Sequence, residues 1–173
     1  YNICSYRLCS TIELMVALRP MHEGVCIVGI NVVTYQAVSG AGKRAMEERA
    51  TETGDLLNAR EVKTEAFSRQ IAFNAIPQID VFLDNDYTKE EMKMVWETHK
   101  IMGDDTIRVN PTAVRVPVFY GHGEAIHIET RQPIDAEDVK QLLAAAEGVT
   151  LHEQREDFPT QVSSASGNDS VHV

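Results

Sequence analysis

The chain is poor in the residues that most readily announce a function. It has three cysteines in 173 residues, Cys4, Cys9 and Cys26. That is an odd number, at spacings that fit neither a disulfide framework nor a zinc knuckle. The six histidines are scattered, so no metal site is expected. No apolar run approaches the length of a membrane span, and the first residues lack the basic-then-apolar layout of a signal peptide. A cytoplasmic protein with no membrane partner is the expectation. Positive charge is also scarce: 16 basic residues stand against 26 acidic ones, a formal net charge of −10. Without a clustered basic face, nucleic acid is disfavoured as a partner. An anionic small molecule is still open, because one or two placed bases suffice to hold it.

What is present is ordinary for a globular protein, 43% hydrophobic and 24% charged, and the length suits one core. Residues 1–173 therefore read as a single domain without repeats, with 162–173 a polar, loose tail apart from a possible final strand. After Cys9, the residues Ile12, Leu14, Met15, Val16 and Leu18 predict a buried helix that stops before Pro20. "VCIVGINVVTYQAV" predicts a strand ending in the turn-prone "SGAG". A charged helix follows, and then an irregular excursion around Pro77. "YTKEEMKMVWETHKIMG" predicts a helix capped by Thr88 with Glu91, its inner face formed by Met92, Val95, Trp96 and His99. "TAVRVPVFYGHGEAIHIETRQPI" predicts two strands joined near "YGHGE", and a helix starting at Asp135 closes the pattern. Helices and strands come in clumps, which favours an α+β fold: a mainly antiparallel or mixed sheet with helices packed on one face.

Three residues carry possible chemistry. Cys9 starts a helix, where the macrodipole and free backbone N–H groups lower a thiol pKa and make a nucleophile; the alternative is a small buried structural cysteine. His122, flanked by glycines at a strand junction, has the near-neutral pKa that suits an acid/base, although a surface turn histidine looks the same. Arg115 sits in an apolar strand, where burial demands an anion, either a substrate carboxylate or an internal acid. Glu90 and Lys93, one helical turn apart, read as a solvated pair, and Gln36 is ambiguous alone.

"CSTI", "TYQAVSGAG", "IAFNAIPQIDVFLDNDYTKEEMKM" and "VRVPVFYGHGEA", in this order and spacing, resemble the catalytic and dimerisation domain of bacterial aspartate-semialdehyde dehydrogenases. The resemblance implies a fold like the C-terminal domain of glyceraldehyde-3-phosphate and aspartate-semialdehyde dehydrogenases. It also implies reduction of β-aspartyl phosphate with NADPH through a thioester on Cys9. In that family His122 would be the acid/base and Gln36 would lie near the nucleophile. Arg115 would bind the substrate carboxylate, Glu90 the substrate amino group and Lys93 phosphate. Ser39, Gly40, Ala41 and Gly42 would form the turn beside the nicotinamide. A homodimer through the sheet is implied as well.

The chain departs from the family at residues 1–8, a divergent remnant in which Tyr6-Arg7-Leu8 stands where the family has Asn-Pro-Asn. The family's glycine-rich nucleotide domain and its terminal helix are not in the sequence. The expectation is accordingly a truncated domain with no cofactor and no dehydrogenase activity of its own. The alternative is a small Cys–His acyl hydrolase acting on activated short-chain esters.

Overall fold

The computed structural model describes residues 9–173. The expectations for Cys4 and for Tyr6-Arg7-Leu8 lie outside the described residues. Helix α1 (Cys9–Val25) leads into strand β1 (Ile27–Gln36), a 3-10 turn at Val38–Ala41 and helix α2 (Lys43–Leu57). After the excursion come α3 (Lys89–Met102), β2 (Arg108–Arg115), β3 (Gly123–Thr130) and α4 (Ala136–Ala144). Two short strands, β4 (Val149–Thr150) and β5 (Val171–His172), pair in parallel near the C-terminus. The fold is α+β with a mixed sheet, as the sequence predicts. Among the described residues no helix is long and apolar enough to cross a membrane, and no group of three or more metal-ligating side chains could hold a metal ion.

The sheet is built around β1. It pairs with β2 in parallel and with β3 antiparallel, giving the order β2-β1-β3. The two strands joined through "YGHGE" therefore flank β1 on opposite sides and do not form a hairpin. The register sorts side chains into two faces, because successive strand residues point opposite ways. One face carries Ile30, Val32, Thr34 and Gln36 of β1, aligned with Ile128, Ile126 and Glu124 of β3 and with Val109, Pro111, Ala113 and Arg115 of β2. This face packs with Leu14, Leu18, Met21 and Met94 into the main core. The other face carries Asn31, Val33 and Tyr35 beside Asn110 and Thr112 of β2 and Ala125 and His127 of β3. Apart from the half-buried Val33, all of those residues are exposed.

Two helices differ from the periodicity reading. Helix α1 does not stop before Pro20 but runs through it to Val25. Proline removes one backbone donor, and burial of Met21 at 6% exposure holds the turn beyond it in the core. In α3 the buried stripe is Glu90, Met94 and Thr98, while Trp96 is 52% exposed. The stripe follows the i, i+4 rows of the helix, displacing Met92, Val95, Trp96 and His99 as the inner face. The Thr88–Glu91 capping box is formed, and Glu91 Oε1 also accepts the Ala113 N–H at 3.0 Å, tying α3 to β2.

The excursion is organised by carboxylates in place of strands. Glu48 of α2 accepts backbone N–H groups of Glu65, Ala66 and Phe67. Glu52, only 1% exposed, accepts those of Ile71 and Ala72. Such charge-assisted bonds satisfy donors that no ladder reaches. The excursion then meets β2 through reciprocal backbone bonds between Ile76 and Arg115, both 2.9 Å.

Candidate functional site

Cys9 Sγ lies 3.1 Å from His122 Nε2, across 113 residues of sequence. The cysteine comes from the first position of α1 and the histidine from the loop entering β3. Gly121, at φ +80°, makes the bend that presents the ring. A Cβ there would stand 2.7 Å from the Gln161 carbonyl oxygen, so the position is restricted to glycine both by its dihedral and by space. Gln161 secures the same loop, its side-chain N–H₂ donating to the carbonyls of Tyr35 at 2.8 Å and Gly121 at 2.9 Å. Gln161 opens a single π-turn, Gln161–Ala165. Residues 162–173, expected to be loose, therefore include most of this turn and strand β5.

The other ring nitrogen is also engaged. His122 Nδ1 accepts the Ala37 N–H at 3.3 Å, which assigns the neutral ring a proton on Nε2, facing the sulfur. For this ring to take the thiol proton it must release Ala37, a long and weak bond worth about 1 kcal/mol. The Ala37 carbonyl meanwhile accepts Arg115 Nη1 at 2.7 Å. One residue thus links the imidazole to the guanidinium.

The thiol itself departs from the helix-start argument. Its pKa is raised, first by burial of the sulfur and then by the charges of Glu13 and Glu90. The Ser10 N–H pulls it down, but by less. Helix-terminal donors are present as expected; desolvation outweighs them. Cys9 as a residue is nevertheless exposed, so a reagent can reach it.

Arg115 is 7% exposed. Burial lowers its pKa, opposed by Glu90 and then Cys9. Among the described residues no carboxylate is in ion-pair contact with it, which leaves guanidinium donors for an outside anion. Gly40 stands against it, since a Cβ there would sit 3.2 Å from Arg115 Nη1 and 3.9 Å from His122 Nε2. Glu90 is buried, at 6% exposure, and so is not the solvated partner that helical spacing suggests. Lys93 lies between Glu90 and Asp80, at 3.7 and 3.6 Å. Gln36, 2% exposed, donates to Ser10 Oγ at 3.4 Å and Thr34 Oγ1 at 3.3 Å, placing it next to the nucleophile's neighbour.

Sequence reasoning missed two carboxyls. Cys9 and His122 open onto a cavity of about 1000 Å³, whose walls include Glu13 and Glu124. Burial, then Glu13 and Cys9, push the Glu124 carboxyl up to about 8. Burial raises Glu13 too, while His122 draws it down. The signal was available: Glu13 is four residues after Cys9 on a helix, and Glu124 is two after His122 entering a strand, so each shares a face with its partner. Arg115, Gln36, Glu90 and Lys93 do not line this cavity. They occupy the other flank of the sulfur.

Of the turn expected beside a nicotinamide, Ser39 is half-buried and Gly40, Ala41 and Gly42 are exposed. The turn offers one open edge near the sulfur. A Cβ at Gly42 would have nothing within 4 Å, so no neighbouring group closes over the turn at that residue.

Comparison with known proteins is consistent across sequence and structure. Residues 18–173 match the family described as semialdehyde dehydrogenase, dimerisation domain. The aspartate-semialdehyde dehydrogenase of Vibrio mimicus is 59% identical over 172 residues, covering 99% of this chain and 54% of that protein. That of Bacillus subtilis is 43% identical over 171 residues, covering 93% of the chain and 49% of the relative. A crystal structure of aspartate semialdehyde dehydrogenase II from Vibrio cholerae, complexed with ASA, superposes with a TM-score of 0.95 at 58% identity. It covers 98% of this chain and 50% of that one. A probable aspartate-semialdehyde dehydrogenase from Pseudomonas aeruginosa gives 0.92 at 28% identity, covering 98% and 51%. The chain spans about half the length of the relatives it matches, and it belongs to the semialdehyde dehydrogenase dimerisation-domain family.

Proposed function

We propose that this chain is the substrate-binding, thioester-forming half of an aspartate-semialdehyde dehydrogenase site. The observation that carries the reading is the 3.1 Å contact between Cys9 and His122, joined through Ala37 to a buried Arg115 that no acid among the described residues pairs with. Arg115 holds the carboxylate of a small amino-acid substrate by charge-assisted hydrogen bonds. Glu90, the acid on that flank, takes the substrate ammonium, and Lys93 meets phosphate. The thiolate of Cys9 attacks the acyl carbon of an acyl phosphate; the C–S bond forms as the C–O bond to phosphate breaks. Once Nδ1 releases the Ala37 N–H and the ring proton moves from Nε2 to Nδ1 through water, the freed Nε2 takes the thiol proton and returns it afterwards. NADP, when bound, supplies the hydride chemistry of the family. The turn at Ser39–Gly42 would line only its nicotinamide edge, and no step here runs through it. The bare face of the sheet, with Asn31, Tyr35 and His127 exposed, is the surface through which two copies would pair.

A second reading has one observation in its favour. Cys9 is exposed and opens onto the cavity, so water can reach an acyl group on the sulfur, and the chain would then be a thiol hydrolase of activated esters. A chromogenic short-chain ester, followed with the wild type and Cys9→Ala, separates the readings. One equivalent of product in a burst, absent in Cys9→Ala and without further turnover, supports the thioester-forming half-site. Sustained turnover that needs Cys9 supports the hydrolase. Identical traces for the two proteins refute both. Added NADP, phosphate and aspartate semialdehyde are expected to give no sustained cofactor reduction by this chain.

A further inference from the structure

The cavity beside the Cys9–His122 pair contains two carboxyls that the proposed chemistry leaves unused. Glu13 projects from α1 one turn beyond Cys9. Glu124 lies on the covered face of the sheet, aligned with Thr34, and both line the cavity that Cys9 and His122 enter. Glu124 Oε1 is buried with no hydrogen-bond partner among the described residues. An ionised carboxylate left in that state is costly, and a buried carboxyl that shares a cavity wall with a second acid relieves the cost by retaining its proton.

We propose that Glu13 and Glu124 form an acid wall of the cavity in which Glu124 keeps its proton, and that both are positioning residues for Cys9, holding its sulfur as the thiol once that proton is lost. The charge logic is reciprocal. Glu124 is raised partly by the charge of Cys9, so a thiolate opposes ionisation of Glu124, and an ionised Glu124 opposes formation of the thiolate. Below the titration of Glu124 the acid wall carries a single negative charge beside the imidazole. Above it, a second negative charge faces the sulfur. Reactivity of Cys9 should therefore climb less steeply with pH than that of a free thiol.

Other ionisable groups face the same centre. His122 stands on the loop against the sulfur, Arg115 on β2 and Glu90 on α3 act on it from the opposite flank, and Asp169 and His172 line the cavity from the C-terminal segment. None of them is altered by Glu124→Gln, so a comparison of that variant with the wild type isolates the one carboxyl.

The inference rests on Cys9 being the reactive thiol of the proposed function, but its test reads the thiol directly and not acyl transfer. The full chain is treated with iodoacetamide, an uncharged reagent, at pH 6.5 and pH 8.5, and modification of Cys9 is followed by site-resolved mass spectrometry. At pH 6.5 Glu124 is protonated and the Glu124→Gln variant should react at the wild-type rate. At pH 8.5 the variant should react roughly threefold faster, the effect of removing one negative charge from the cavity wall that the sulfur shares. Equal rates at both values would overturn the proposal. So would a constant ratio at both, since that is the mark of altered packing. Should Glu124→Gln fail to fold by circular dichroism, Glu13→Gln gives the reading from the other carboxyl: faster modification at pH 8.5 supports the acid wall, and an unchanged rate refutes it. A missing burst in the ester assay together with the expected alkylation ratio would sink the acyl-transfer reading alone.

Discussion

The two flanks of Cys9 are built on opposite principles. On one side Arg115, Gln36 and Glu90 are all nearly buried, and the cation and the amide are engaged: the guanidinium on Ala37, the amide on Ser10 and Thr34. On the other side Glu13 and Glu124 face a cavity, and one carboxyl oxygen has no hydrogen-bond partner among the described residues. The first flank is pre-organised for an anion because its donors are fixed before any ligand arrives. The second flank sets two acids against the sulfur. In the proposed function, a nucleophile placed between the flanks would hold a carboxylate-bearing substrate on one side while its own charge is limited from the other.

The largest expected effect comes from removing the cation. Arg115→Ala leaves the Ala37 carbonyl without its 2.7 Å donor and opens a hole at the end of β2, at a cost of about 2–4 kcal/mol in a urea titration. An unchanged midpoint would mean that Ala37 finds another donor and that the flank is not pre-organised. Glu124→Gln has the opposite sign. A carboxyl raised to about 8 from its ordinary 4.5 makes the fold bind a proton that the unfolded chain releases. Wild-type stability from this group falls as pH rises through that window. The variant should be indistinguishable from wild type at pH 4 and about 2 kcal/mol more stable at pH 8, allowing for partial solvation. A gap that does not widen with pH would mean that the carboxyl is not forced to keep its proton. Thr88→Ala is the smallest of the three. It removes the capping box that starts α3 and so loosens the helix that holds Glu90. Thermal unfolding should register about 1 kcal/mol, with the reactivity of Cys9 changed far less than by either flank variant.

The contrast also explains what the sequence could and could not say. The cation flank was legible because its residues sit in long motifs, and because a lone arginine in an apolar strand is itself a signal. The α+β class followed from composition and clumping of elements. The acid flank was not legible as a unit. Glu13 is hidden between Ile12 and Leu14 in an apolar run, and Glu124 reads as an ordinary polar strand position. Only the packing of α1 across β3 sets them against one cavity. The same long-range dependence governs the thiol. A helix start argues for a lowered pKa, and the argument is locally sound, but burial by distant elements and two acids reverses the sign. Pro20 and Trp96 teach the lesson for the fold: local rules predicted a helix end and a buried aromatic, and tertiary packing overrode both.

The central claim is that the sulfur, the imidazole and the guanidinium act together on one small substrate with a carboxylate. Protection of Cys9 by an aldehyde tests it without cofactor or turnover. Aspartate semialdehyde, adding reversibly to the thiol, should slow iodoacetamide modification of Cys9 severalfold at millimolar concentration. Acetaldehyde, which has no carboxylate, should not, and Arg115→Lys should lose most of the difference because a lysine cannot reproduce the bidentate grip. Equal protection by the two aldehydes, or a difference that survives in Arg115→Lys, would contradict the account.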